Sequence, residues 1–157
     1  MTQHASGGGG YQWSRFPYNM GATAATEQYT DDTRCNMPPA KQTGAQGEAL
    51  ARRHLRRQGY RIIESNWKSL FGELDIIAER AGVLTFVEVK TRRALSTESA
   101  LEGITAAKRE RMLKAVYLYL HEREFDSEVQ WRIDVIAVAL GGAGPPKLDH
   151  VEDAFDW

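Results

Sequence analysis

The chain has 157 residues, 42% of them hydrophobic and 26% charged, and a formal net charge of -1. These are the proportions of one ordinary globular domain, so global charge gives no vote for nucleic acid. Cys35 is the only cysteine, which excludes an intrachain disulfide or a cysteine-rich zinc site and leaves a free surface thiol as the expectation; no apolar run of about 18 residues is present to span a membrane.

The charge is unevenly spread. Residues 44–139 hold 16 Lys/Arg against 14 Asp/Glu, whereas residues 140–157 hold one Lys against four acids. A weakly basic body with an acidic tail permits a polyanionic partner without demanding one. The N-terminus has no apolar core behind a basic start, so no signal peptide is expected and a cytoplasmic setting is the default.

In chain order, residues 1–43 combine Gly7 to Gly10, scattered aromatics (Tyr11, Trp13, Phe16, Tyr18) and Pro38-Pro39, without helical or strand periodicity. This composition predicts a flexible extension, with the aromatics as a conceivable docking patch. From Gly47 to Gln58 strong helix formers dominate, Ala51 and Leu55 mark a buried stripe, and Gly59 supplies a stop. Strand patterns follow at Tyr60–Lys68, Glu73–Glu79 and Val83–Lys90. A connection with helix character near Glu98–Leu101 leads to Thr105, a cap for a helix ending near Glu124 whose apolar stripe is Met112, Leu113, Val116, Tyr117 and Leu120. Val129–Ala139 reads as the last strand, and residues 141–157 as an acidic tail. Helix, three-strand antiparallel meander, helix and a strand returning in parallel make an α/β domain with a mixed sheet, spanning residues 44–140.

The chemistry concentrates in the hairpin Glu73–Lys90. If it folds about Ala81-Gly82, residue 79 faces 84, and counting outward sets Asp75 opposite Glu88 and Glu73 opposite Lys90. Asp75 and Glu88 then share a face, flanked by Leu74, Ile76, Ile77, Phe86, Val87 and Val89. Facing carboxylates in buried strands repel unless one keeps a proton or a cation sits between them. Magnesium, with manganese as an alternative, suits two acids with coordination positions left for water and phosphate oxygens. Lys90, two residues beyond Glu88, is placed to orient a water or neutralise developing charge. The bland alternative is a solvated strand face with a Glu73–Lys90 ion pair.

Glu48 shares a helix stripe with Ala51 and Leu55, and its simplest reading is an ion pair with Arg52. Arg52, Arg53, Arg92, Arg93, Lys108 and Arg111 are candidate phosphate contacts, although charged helix faces are commonly just solvated. His54, His121 and His150 lack ligand spacing, and Trp67 and Trp131 are expected to pack in the core.

Gly47-Glu48 opening a helix, Asn66, Gly72-Glu73-Leu74-Asp75, Phe86-Val87-Glu88-Val89-Lys90-Thr91-Arg92 and Arg132-Ile133-Asp134-Val135-Ile136, in this order, resemble the YraN-like family of bacterial proteins. That family is uncharacterised and groups with the archaeal Holliday-junction resolvases in the restriction-endonuclease-like superfamily. The resemblance covers about residues 44–140, and the extension departs from it. It implies that Asp75 and Glu88 are metal-binding acids, Lys90 the lysine of an Asp…Glu-x-Lys signature, and Glu48 a helix acid completing the site. Leu74 stands where the signature usually has proline. Asp134 fits the pattern but receives only a structural role. The function expected is a magnesium-dependent endonuclease acting on branched or otherwise structured DNA. The alternatives are a catalytically silent nucleic-acid-binding module and a protein-interaction scaffold. The resemblance also raises a homodimer, for which Val129–Ala139 offers an edge.

Overall fold

The computed structural model describes residues 39–94, 96–97, 105–141 and 144–155. The aromatic segment, Cys35 and the connection expected near Glu98–Leu101 lie outside these residues. The elements are α1 (Pro39–Arg57), β1 (Arg61–Ser69), β2 (Gly72–Arg80), β3 (Val83–Arg92), α2 (Ala106–Glu122), β4 (Trp131–Ala139) and β5 (Lys147–Val151). They build one five-stranded mixed sheet in the order β1-β2-β3-β4-β5. β1, β2 and β3 form the expected antiparallel meander, and β4 returns parallel to β3. This α/β architecture is compatible with a restriction-endonuclease-like fold.

Each helix covers one face of the sheet. Ala51 and Leu55 of α1 pack with Tyr60, Ile76, Ala78, Val87, Ile136 and Val138. Met112, Ala115, Val116 and Tyr119 of α2 pack on the other face with Trp67, Leu74, Ile77, Phe86, Ile133 and Val135. Alternate residues of β3 and β4 thus enter different cores, as a strand buried on both sides requires, whereas in β2 Leu74 and Ile77, three apart, share the α2 core and Ile76 enters the other. The α2 stripe differs from its expected position. Tyr117 is 60% exposed and Tyr119 takes the core position, because the helix turns the stripe 112, 115, 116 and 119 inward, with Tyr119 against Trp67 and Phe86, rather than the one through 113, 117 and 120. Tyr117 instead stacks edge-on against Trp131, with ring centroids 5.7 Å apart.

Local signals set the element ends. Gly59, at φ 84°, closes α1 with a Schellman pair: Tyr60 N–H donates to Leu55 O and Gly59 N–H to Arg56 O. Thr105 caps α2, its hydroxyl accepting from the Lys108 N–H at 3.2 Å. The β2–β3 connection is a two-residue turn with Ala81 at φ 53° and Gly82 at φ 83°, the left-handed pair that suits strand twist. Glu79 faces Leu84, so the register is the one the turn predicts.

Three sequence expectations need correction. α1 begins at Pro39, before Thr43, since proline is tolerated in a first helical turn where no intrahelical N–H bond is needed. Lys147–Val151 is a strand paired antiparallel to β4, so the stretch expected as an acidic tail contributes to the sheet. It escapes pattern reading because only alternate residues are half-buried on an edge. As a result β4 is an interior strand, and its Val135–Ala139 stretch offers no free edge to a second copy.

At the end of the sheet where β2 finishes, a polar network holds β5. Asp134 is fully buried; its Oδ1 lies 3.0 Å from Arg132 Nε and accepts from the Asp153 N–H, while its Oδ2 lies 2.7 Å from His150 Nε2. Arg132 continues outward to Tyr60 and Glu152. His54 meets His150 edge-on, and its pKa is lowered by burial, with the charges of His150 and Arg57 adding to the effect. The structural role expected of Asp134 is therefore a junction of three segments.

Candidate metal-binding site

Asp75 and Glu88 meet one step beyond the last ladder pair of the hairpin, Ile76 with Val87. The ladder stops there because the Asp75 side chain takes the next donor: Val89 N–H gives its hydrogen to Oδ2 at 2.7 Å. Glu88 is buried at 2% exposure on a central strand. Lys90 Nζ stands 2.7 Å from Glu88 Oε1, which brings Glu88 and Lys90 together as their two-residue spacing predicts. A second ammonium, Lys108 Nζ from α2, stands 3.2 Å from Oε2. It is poorly aligned, so Oε2 is enclosed without a hydrogen-bond partner among the described residues.

The electrostatic consequence falls on Asp75, whose pKa is pushed up from 3.8 to about 7. Burial is the largest cause; the charge of Glu88 adds to it and that of Glu48 adds less, while the Val89 hydrogen bond and Lys108 oppose it. A carboxylate held near neutrality by burial and a like charge is the condition foreseen for the hairpin.

α1 delivers Glu48 to the same groove. Gly47 makes this approach possible: a Cβ there would lie 1.8 Å from Thr91 Oγ1 and 2.9 Å from Thr91 Cβ. Only a backbone without a side chain lets α1 lie this close to β3. Glu48 also realises its simpler reading, with Arg52 Nη1 3.7 Å away. Gly47→Ala is expected to destabilise the fold by about 1–3 kcal/mol despite alanine's better helix propensity, because it overpacks this contact. Adding Thr91→Ala should recover part of the loss, since the nearest atom disappears. Urea denaturation of both variants measures this, and an unaltered single variant would mean that α1 shifts freely.

Glu48, Asp75, Glu88, Lys90, Arg92 and Arg93 line an open groove of ≈570 Å³. Of the six expected phosphate contacts, Arg92 and Arg93 alone line it. Arg53 and Arg111 are exposed elsewhere, Arg52 turns to Glu48 and Lys108 to Glu88. Lys108, expected as a phosphate contact, stands against Glu88 instead; its one local signal is Thr105, which sets Lys108 in the first turn of a helix. Among the described residues, no three His, Cys, Asp or Glu side chains gather closely enough to hold a metal ion, so Glu48 lines the groove without forming a three-acid site with Asp75 and Glu88. No helix among them is long and apolar enough to cross a membrane.

The model of the uncharacterised protein family UPF0102 matches residues 47–138, which hold every acid of the groove. A UPF0102 protein of Rhodococcus jostii is 42% identical over 115 residues, covering 71% of this chain and 94% of that one. Others from Syntrophotalea carbinolica and Pseudomonas aeruginosa are 44% and 38% identical, over 72% and 74% of this chain and 90% and 94% of theirs. With the family model and these near-complete relatives in agreement, the chain belongs to the uncharacterised protein family UPF0102, as its YraN-like motifs imply.

Proposed function

We propose that this protein is a divalent-cation-dependent endonuclease that hydrolyses phosphodiester bonds in branched or otherwise structured DNA. The observation that carries the reading is the pairing of Asp75 with a buried Glu88 whose Oε2 lacks an aligned donor, at the wall of an open groove. The residues fit magnesium or manganese: the donors are carboxylate oxygens, and a protein set short of a full cage suits an ion that retains water and takes phosphate oxygens. Such an ion supplies Lewis-acid polarisation of a phosphoryl oxygen and lowers the pKa of bound water.

The chain's own groups do the rest. Asp75 and Glu88 hold the cation, and Glu48 adds negative charge from the helix side. Val89 N–H fixes the Asp75 carboxylate, so its orientation is set before substrate arrives. Lys90 is positioned to offset charge on the phosphoryl group in the transition state. Arg92 and Arg93 are placed on the groove wall to hold the flanking backbone.

The test is cleavage of labelled branched, single-stranded and duplex DNA in Mg²⁺, Mn²⁺ or EDTA, by wild type and by Glu88→Gln. Metal-dependent cutting that falls about a thousandfold in the variant is expected, the size associated with loss of one preorganised electrostatic group. Binding without cutting under every metal condition would leave a nucleic-acid-binding module and overturn the enzyme.

A further inference from the structure

Lys108 comes from α2, whereas the other groups facing Glu88 belong to the hairpin or to α1. Its ammonium stands at the carboxylate oxygen that has no aligned partner, 3.2 Å from Glu88 Oε2, with its side chain 32% exposed. Lys90 engages the opposite oxygen at 2.7 Å. One ammonium balances the charge of a buried carboxylate, and Lys90 already does so at Oε1, so Lys108 is a second positive charge on the same group. The second ammonium therefore occupies electrostatic space that a small cation would fill. A cation and Lys108 cannot both take Oε2 without strong repulsion in a site of low dielectric.

We propose that Lys108 is a counter-ion switch: it neutralises Glu88 in the metal-free protein, is displaced when a divalent cation enters, and then pairs with a phosphate of the nucleic acid. The inference rests on the metal-dependent reading of the groove. It needs no large motion, since a lysine side chain has four rotatable bonds and Thr105 fixes the helix turn that carries it. Displacement frees a positive charge beside the groove, so cation binding and phosphate binding strengthen each other. By linkage, phosphate binding then raises cation affinity by the same factor.

The experiment measures binding alone. Mn²⁺ is titrated into full-length wild type, Lys108→Met and Lys108→Arg, with free Mn²⁺ followed by electron paramagnetic resonance. Affinity for a branched DNA of hydrolysis-resistant phosphorothioate linkages is measured with and without Mn²⁺. Lys108→Met is expected to bind Mn²⁺ about tenfold more tightly than wild type without DNA, and Lys108→Arg within about twofold of it. The factor by which Mn²⁺ strengthens DNA binding is expected to fall about five- to tenfold in Lys108→Met. Mn²⁺ affinity in Lys108→Met equal to or weaker than wild type would overturn the switch.

A readout on unaltered protein guards against a variant that fails to fold. The ammonium signal of Lys108, assigned by nitrogen NMR, should lose its protection from exchange when Mg²⁺ is added. Protection that persists in saturating Mg²⁺ would overturn the proposal. Neither measurement uses cleavage, so a protein that binds Mn²⁺ with this linkage but cuts nothing would sink the nuclease reading and leave the switch standing.

Discussion

Asp75→Asn is expected to stabilise the metal-free protein at pH 8 by about 2–4 kcal/mol and to leave it nearly unchanged at pH 4. The sign follows from a folded-state pKa of about 7 against 3.8. Below 3.8 the carboxyl is protonated in both folded and unfolded chains and costs nothing. Between those values the folded protein binds the extra proton, so wild-type stability falls as pH rises, and above about 7 the full cost is present. Asparagine resembles the neutral acid, still accepts from Val89 N–H, and escapes the penalty. The lower end of the range allows for the sharing of charge between Asp75 and Glu88. Urea denaturation in EDTA at both pH values measures the difference, and a variant less stable than wild type at pH 8 would refute it. Mn²⁺ should stabilise the wild type at pH 8, and do so much less in Asp75→Asn. A site that weakens its own fold until a ligand arrives is a recurrent pattern in enzymes.

Asp134→Ala should have an effect of the opposite sign and similar or greater size, a loss of about 3–5 kcal/mol. The substitution removes a fully buried carboxylate that contacts Arg132, His150 and the Asp153 amide, so the His150 ring nitrogen and the Asp153 amide lose this partner, and Arg132 keeps Tyr60 and Glu152. Because the total stability of a domain is only about 5–15 kcal/mol, much of it would be lost. Denaturant unfolding gives the magnitude, and hydrogen exchange should show the amides of β5 opening first. A loss below about 1 kcal/mol would mean that the network merely decorates a sheet held by other contacts.

The two sites differ in how legible they are. Asp75 and Glu88 could be placed opposite one another from sequence because everything between them is local: two strands and a two-residue turn leave one register. Thr105 and Gly59 were readable for the same reason, as helix ends depend on neighbouring residues. Lys108 could be placed in a helix but not against Glu88, since that contact depends on how α2 lies across the sheet. Asp134 was visible as part of a pattern, but His150 and Asp153 lie beyond an intervening loop. Their strand, Lys147–Val151, has weak propensity and little burial, so it forms through pairing with β4 rather than by local preference. Tyr117 and Tyr119 exchange places relative to expectation because the tyrosines two apart both extend a plausible apolar stripe, and packing against Trp67 and Phe86 selects the second.

The turn at Ala81-Gly82 has a consequence for how this chain can change in length. Strand side chains alternate between faces, so one residue added between 75 and 88 would carry Glu88 from the α2 side of the sheet to the α1 side. Both carboxylates would survive in the sequence, yet their pairing would be gone. The hairpin therefore works as an indexing pin: the parity of a short count decides whether the two carboxylates meet at all. The Leu70-Phe71 loop between β1 and β2 lies outside this count, so its length can drift while the distance from one acid to the next stays fixed.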